Sequence, residues 1–336
     1  MNLINRRKFL VGTSALFAAA GSLQAKAVSG SAQKAKKAVV LPPTAQGPLK
    51  VRFIGTGAAD WLDKDKPAAV AAAAPAPAEA APAAPAEEAA PAAPAEAAPA
   101  AAPEWRRHAS VLLDDKVLVD FTASAADMIP AGVKIEEVVI THSHPDHFDP
   151  AAVLALGTVQ RVYVDRGWAR EARSAFIKAG QGWSGVDVVP VDVGETFAAG
   201  GLHFTPLPAN HDTGNVYEQT LIYRVDKDQT RLLYATDTAG ITAMAQRLLG
   251  KFNAMIMEAT VGMNAKDNWR IFSHTSVELV AQTVSALKFL KQYEPPEGRK
   301  VYTTHMSKAL HGPQAELEAN FPEGVVPAKD GLEVEF

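Results

Sequence analysis

Ten consecutive residues constrain this chain more than any other feature: Thr141-His142-Ser143-His144-Pro145-Asp146-His147-Phe148-Asp149-Pro150. The run Val138-Val139-Ile140 ahead of them is apolar and β-branched, so the cluster stands where a strand ends and a loop begins. Residues two apart on extended backbone project to the same side, which lets His142 and His144 grip one ion together. Pro145 disfavours helical backbone at His144 and helps to hold that geometry. Asp149 and Pro150 then supply an N-cap and a first-turn proline for a following helix. On the intervening turn, Asp146 and His147 can face a second ion. A lone histidine is ordinarily a core or surface residue; three with an aspartate inside six positions, at a strand end, read as a ligand set.

Composition narrows the chemistry further. The chain has no cysteine, which excludes disulfides, Cys-ligated zinc, iron–sulfur clusters and thiol nucleophiles, so any metal must be held by His, Asp and Glu. A net charge of −4 argues against a nucleic-acid binder working through a broad basic surface, and no stable nucleic-acid partner is expected.

Not all 336 residues can pack. The opening Asn5-Arg6-Arg7-Lys8-Phe9-Leu10, a short apolar run and Ala25-Lys26-Ala27 have the form of a twin-arginine-type signal over residues 1–27. That predicts the twin-arginine export machinery as a partner and a periplasmic or otherwise exported location. Residues 28–48 read as a flexible linker and 49–336 as one folded domain. Within it, residues 67–104 are almost entirely Ala, Pro and Glu; proline denies them helix continuity and there is little to bury, so they read as a disordered insertion between the first two strands. Roughly 270 residues remain, enough for one large single-core domain.

Strands are predicted at Leu49–Gly55, His108–Leu113 and Lys116–Phe121, the last two a hairpin around Asp114-Asp115. More follow at Glu136–Thr141, Arg161–Asp165, Val186–Val191, Leu202–Leu207, Gln219–Arg224, Arg231–Thr236, Asn253–Ala259 and Lys300–Thr304, with Leu332–Phe336 closing a sheet. Helical spacing marks Ala151–Leu156, Ala169–Lys178, Ile241–Leu249 and Ser276–Leu290. Mixed hairpins and strand–helix units imply layered sheets with helices outside.

On these residues the sequence resembles the metallo-β-lactamase superfamily, whose H-x-H-x-D-H signature is matched at every specified position by His142, His144, Asp146 and His147. The resemblance implies a four-layer αββα sandwich of the α/β class. It also implies three further ligands at later strand ends: His211, Asp237 and His305. By that analogy His142, His144 and His211 hold one metal, Asp146, His147 and His305 the other, and Asp237 bridges them. Two such ions share a water, lower its pKa and present hydroxide at neutral pH. Imidazole and carboxylate suit zinc, manganese or iron; zinc and manganese are the first choices. Asp120 resembles an aspartate that braces the ligand loop.

Three features lean towards the branch that holds the cyclic-phosphate phosphodiesterase and ribonuclease Z. They are Phe53-Ile54-Gly55-Thr56-Gly57-Ala58-Ala59, the run Thr236-Asp237-Thr238-Ala239-Gly240 with Thr304-His305-Met306-Ser307 and Asp330-Gly331-Leu332-Glu333-Val334, and Ser273-His274-Thr275-Ser276. In that branch a histidine placed like His274 contacts the scissile phosphate and can protonate the leaving oxygen. Glu258-Ala259-Thr260 partly matches an H-E-A-T loop, with Met257 in place of its histidine, and Glu258 could orient His274. Asp146, His274 and Glu258 are therefore the candidate catalytic residues.

The departures are Lys308 where a further histidine is expected, no cysteine for a structural zinc, and no flexible basic arm for tRNA. Arg106 and Arg107 could reach a substrate phosphate or be solvated residues at the start of a strand. His108, His203 and His311 are assigned structural or surface places. The expected activity is phosphodiester hydrolysis of a small, even cyclic, substrate; the alternatives are a lactonase or other ester hydrolase, and a non-catalytic exported metal-binding protein. Pairing among relatives allows a homodimer, which no residue of this sequence marks.

Overall fold

Short strands buried at nearly every position build two sheets in the computed structural model, which describes residues 40–62, 64, 66, 105–182, 185–263, 265 and 267–336. The first sheet carries β1 (Lys50–Gly55), β2 (Ser110–Leu113), β3 (Val117–Val119), β4 (Glu137–Val139), β5 (Arg161–Asp165) and β6 (Asp187–Val191). The second carries β7 (Phe197–Ala199), β8 (Leu202–Pro208), β9 (Leu221–Lys227), β10 (Thr230–Ala235), β11 (Ala254–Glu258), β12 (Val301–Thr304) and β13 (Val325–Pro327). A last strand, β14 (Glu333–Glu335), returns to the first sheet and pairs antiparallel with β1. The orders are β14-β1-β2-β3-β4-β5-β6 and β13-β12-β11-β10-β9-β8-β7.

Each sheet is half meander and half crossover. Neighbours from β14 to β3 and from β7 to β10 are antiparallel; those from β3 to β6 and from β10 to β13 are parallel. The parallel halves need crossovers, and these include α1 (Pro150–Ala155), α2 (Ala169–Ala179), α3 (Ala243–Leu249), α4 (Val277–Phe289) and α5 (Gln314–Asn320). The inner faces of the two sheets share one core, including Phe53, Val119, Phe204, Tyr223, Tyr234 and Ile256. The outer face of the first sheet packs Leu118, Val138 and Val162 against Val153 of α1 and Phe176 of α2. The outer face of the second packs Leu233, Met255 and Met257 against Ala245 of α3 and Val280 of α4. The result is the expected four-layer α/β sandwich. Burying each of these large side chains contributes roughly 1.5–3 kcal/mol.

Local rules hold where the sequence announced them. Asp114 and Asp115 both take positive φ, 50° and 53°, as a two-residue hairpin turn between twisted strands requires. Asp149 caps α1 by accepting from the Ala151 and Ala152 N–H groups, with Pro150 at the first helical position. Among the strands, β7 and β13 have no counterpart in the sequence reading, each three residues long and too short for periodicity to mark.

The expected signal segment, all but the end of the expected linker, and the 67–104 insertion lie outside the described residues. The strands that flank the insertion pair directly, Val51 opposite Leu113. Part of the expected linker is pinned to the body: the compact unit starts at Leu41, with Ala45 N–H donating to Gly201 O and Lys227 Nζ donating to Pro48 O. Among the described residues no helix is long and apolar enough to cross a membrane.

Candidate metal centre

The loops at the carboxyl ends of β3, β4, β8, β10, β11 and β12 meet along one edge of the sandwich, the usual place for a site in sheets with parallel strands. They carry Asp120, the His142–His147 loop, His211, Asp237, Glu258 and His305 in that order. Of the eight non-glycine residues with positive φ among the described residues, three are Asp120, Asp237 and His305, at 58°, 49° and 55°. Left-handed backbone at a non-glycine residue is costly and persists where surrounding contacts enforce it; here it turns three side chains sharply off their strands.

All seven residues expected as ligands converge. Ligand atoms of His142, His144 and His211 lie within 4.8 Å of one another, as do those of Asp146, His147 and His305, and those of His142, His147 and Asp237. His144 Nδ1 is 2.9 Å from His142 Nε2 and 3.1 Å from His211 Nε2. A tetrahedral ion with metal–nitrogen bonds of about 2.0–2.1 Å has ligand–ligand edges of about 3.3 Å, so these spacings fit a metal. Asp237 Oδ2 is 3.0 Å from His147 Nε2 and 3.4 Å from His305 Nε2, while Oδ1 is 3.7 Å from His211 Nε2, so the carboxylate reaches both groups.

The far sides of the rings are held by two matching relays, one at the end of a strand in each sheet. Asp120, fully buried, accepts from His147 Nδ1–H at 2.7 Å and from the Thr141 hydroxyl at 2.8 Å, and that hydroxyl oxygen lies 3.0 Å from His142 Nδ1. Glu258, also fully buried, accepts from the Thr260 hydroxyl, whose oxygen lies 2.8 Å from His305 Nδ1. His211 Nδ1–H donates to the Ser273 carbonyl at 3.0 Å. With Nδ1 committed behind each ring, Nε2 of His142, His147, His211 and His305 faces the centre, the tautomer a metal needs. Ser143, between the two paired histidines, donates N–H and O–H to Glu218 at 2.7 and 2.6 Å and ties the ligand loop to the segment after His211. Neither Glu218 nor Thr260 carries a sequence signal for this; both partners come from distant strand ends.

Charge follows geometry. Burial, backed by His147 and the neighbouring imidazoles, pushes His142 well below its ordinary value. Burial alone would raise the Asp146 and Asp237 carboxyls, but His147 and His305 outweigh it and hold both well below the carboxylate range. Burial also works against His147, yet Asp237, Asp146 and Asp120 around it raise its pKa well above normal. A metal held by that ring would displace the proton.

His274 stands beside this group, its Nδ1–H donating to Glu258 Oε2 at 3.1 Å and lying 3.7 Å from Asp237. Burial lowers its pKa, but Glu258 and Asp237 more than reverse that and lift it to about 9. Its ligand atoms are also near enough to His211 and Asp237 to share an ion; its Nδ1 is occupied by Glu258, so only Nε2 is left for chemistry. The Glu258 carboxylate is thus buried behind His274 rather than on the surface.

Arg106 and Arg107 do not reach the site. Both are buried: Arg106 donates to Thr56 Oγ1, the Ala328 carbonyl and Gln314, and Arg107 grips Asp127 and Asp330. Neither expectation for this pair, a substrate phosphate or solvent, is met, because the Arg107 carboxylate partners lie 20 and 223 residues away, out of local view. His203 lies on β8, and His108 Nε2–H donates to the Trp61 carbonyl at 3.0 Å.

His311 donates Nε2–H to the Ala259 carbonyl at 2.6 Å, and burial pushes its pKa down to about 4. The folded protein holds the neutral ring while the unfolded chain takes a proton near 6.5. Stability is therefore expected to fall as pH drops from about 6.5 to about 4, by on the order of 3 kcal/mol once the lower value is passed. Comparing unfolding temperatures of the wild type and His311→Gln across that range checks this; parallel curves would contradict it.

The larger cavities lie away from the converged ligand residues: about 400 Å³ beside α2, about 360 Å³ beside Pro48 and Arg299, and about 310 Å³ beside α5. A smaller one, about 100 Å³, opens onto His274 and His305.

A beta-lactamase superfamily domain model matches residues 118–306, more than half of the chain. Among solved structures, a diphosphatase from the PhnP family is 20% identical over 86% of this chain and 98% of its own, with a TM-score of 0.58. Zinc-bound PqqB from Methylobacterium extorquens is 16% identical over 85% and 100%, with a TM-score of 0.57. Human tRNase Z, short form, is 15% identical over 85% and 98%, with a TM-score of 0.53. At such identities the likeness is one of fold. No curated protein matches the chain significantly. The two-sheet sandwich, the strand-end histidines and the span of the matched domain together make this chain a member of the beta-lactamase superfamily, with the metal-dependent hydrolase fold of that family.

Proposed function

We propose that the protein is a dinuclear hydrolase, using zinc or manganese, that cleaves a small phosphodiester. In this reading His142, His144 and His211 would hold one ion, Asp146, His147 and His305 would hold the other, and Asp237 would serve both. Such a pair supplies an activated water and neutralises charge on an attacked phosphate. The protein's own contribution to bond breaking is a proton. The observation that carries the reading is the His274–Glu258 pair, set against the converged ligand group. With its pKa lifted to about 9, His274 stays protonated at neutral pH and can give that proton to a departing alkoxide. Glu258 fixes the ring, and Thr260 couples Glu258 to His305, so the donor and one ligand share a support.

Elemental analysis is expected to give two equivalents of zinc or manganese, and the loaded protein is expected to turn over bis(p-nitrophenyl) phosphate. Lactone opening with the diester left intact would give the site to another ester; full metal occupancy with neither activity would leave a metal-binding role. The segment Arg6-Arg7-Lys8-Phe9-Leu10 supports export by the twin-arginine machinery to the periplasm. Fractionation of cells carrying Arg6→Lys with Arg7→Lys checks this, with the variant expected to stay in the cytoplasm.

A further inference from the structure

Trp269–Phe272 form a single 3-10 turn capped by Asn268, whose side chain accepts from Arg270 N–H. With three residues per turn, Trp269 and Phe272 line up on one side of it, and both stand in solvent, 68% and 82% exposed. Arg270, between them, lines the 100 Å³ cavity together with Thr260, His274, His305, Ser307 and Asp60. Its guanidinium lies 5.2 Å from the Trp269 ring centre. Among the described residues that guanidinium donates no hydrogen bond and joins no ion pair, whereas Arg107, Arg166 and Arg224 each grip a carboxylate with two nitrogens. Asp60, the carboxylate on the cavity wall, already accepts from Ser307 Oγ–H and from the Lys308 and Ala309 N–H groups. An anion entering the cavity therefore meets an uncommitted cation beside His274.

Size decides what can enter. Ordinary small-molecule clefts run to roughly 300–1,000 Å³, and about 100 Å³ holds the reacting group alone. The rest of the substrate must lie outside, across the turn that carries Trp269 and Phe272. Arginine suits this place because its planar, permanent charge can stack on an indole and still present parallel donors to phosphate oxygens. The contact with Trp269 holds the guanidinium ready.

Building on the phosphodiester reading, we infer that Arg270 clamps a non-bridging oxygen of the substrate phosphate, and that Trp269 and Phe272 form a stacking rim for a flat group esterified to it. The substrate class narrows to phosphodiesters with at least one aryl or nucleoside arm.

Calorimetry of the metal-loaded protein with inorganic phosphate tests the clamp. Arg270→Ala is expected to weaken binding by at least about tenfold, the worth of a hydrogen bond to a charged group, and Arg270→Lys by less, with metal content and unfolding temperature unchanged in both. Equal phosphate affinity in the wild type and Arg270→Ala overturns the clamp, whether or not any diester is cleaved. For the rim, bis(p-nitrophenyl) phosphate is compared with methyl p-nitrophenyl phosphate, which share a leaving group. Trp269→Ala is expected to reduce the kcat/KM preference for the aryl diester by about tenfold, one stacking contact; an unchanged ratio overturns the rim. Phosphate binding through Arg270 without cleavage of any diester supports the clamp and defeats the phosphodiesterase reading, so the two failures are separable.

Discussion

His274→Ala is expected to slow cleavage of a diester with an alkoxide leaving group by roughly 10²–10⁴-fold, the range of general acid catalysis, while both metal equivalents stay bound. The donor is defined by its supports. Glu258, fully buried, accepts from Nδ1–H, and Asp237 adds a second negative charge 3.7 Å away, so the ring keeps its proton up to about pH 9. The loss should shrink for p-nitrophenyl esters, whose departing anion needs no proton, and grow for alkyl esters. A ring that only shapes the pocket would slow both alike. Activity of the wild type should fall as pH rises through the His274 value, because the proton to be donated is then gone; in His274→Ala that limb should disappear. Metal content measured on the same sample separates this from damage to the ligand group, and equal rates for the wild type and the variant on the alkyl ester would remove His274 from the reaction.

Asp237→Ala is expected to drop metal content below two equivalents and hydrolysis by at least about 10³-fold, since several kcal/mol of charge stabilisation go with the ions. No other carboxylate among the described residues of the group approaches both sets of imidazoles: Oδ2 faces His147 and His305, Oδ1 faces His211. Its loss also leaves three buried or half-buried rings without their shared counter-charge. Asp237 sits at φ 49°, a strained position for a side-chain-bearing residue, so alanine relieves no contact but keeps the strain. A circular dichroism spectrum like that of the wild type, with metal lost, assigns the effect to the site. Two equivalents retained in Asp237→Ala would take away its joining role. The contrast between the two variants is the sharper test: one keeps its ions and loses a proton donor, the other keeps the donor and loses ions.

Much of this could be read before any coordinates, because it is written over short spans. An extended backbone puts His142 and His144 on one side, Pro145 keeps that backbone extended, and Asp149 starts α1; each depends on neighbours within a few positions. The later strand ends that carry His211, Asp237 and His305 came from likeness to a family, and the sheets do bring them beside the first cluster. What the chain did not reveal is what stands behind and beside those groups. Arg107, read as meeting either a substrate phosphate or solvent, is instead buried against Asp330, 223 positions later. Glu218 holds Ser143 across 75 positions and Thr260 holds His305 across 45. The uncommitted guanidinium of Arg270 is likewise defined by what fails to face it.

The sequence by itself determined the type of ligand, the absence of thiol chemistry, the strand-then-loop setting of the histidines and the class of sandwich. Only the tertiary structure decided which hydroxyl and carboxylate orient each ring, and which arginines are spent on structure. The reason is physical: local backbone preference acts over a handful of residues, whereas burial and hydrogen-bond satisfaction are settled between side chains that the two packed sheets bring together from opposite ends of the chain.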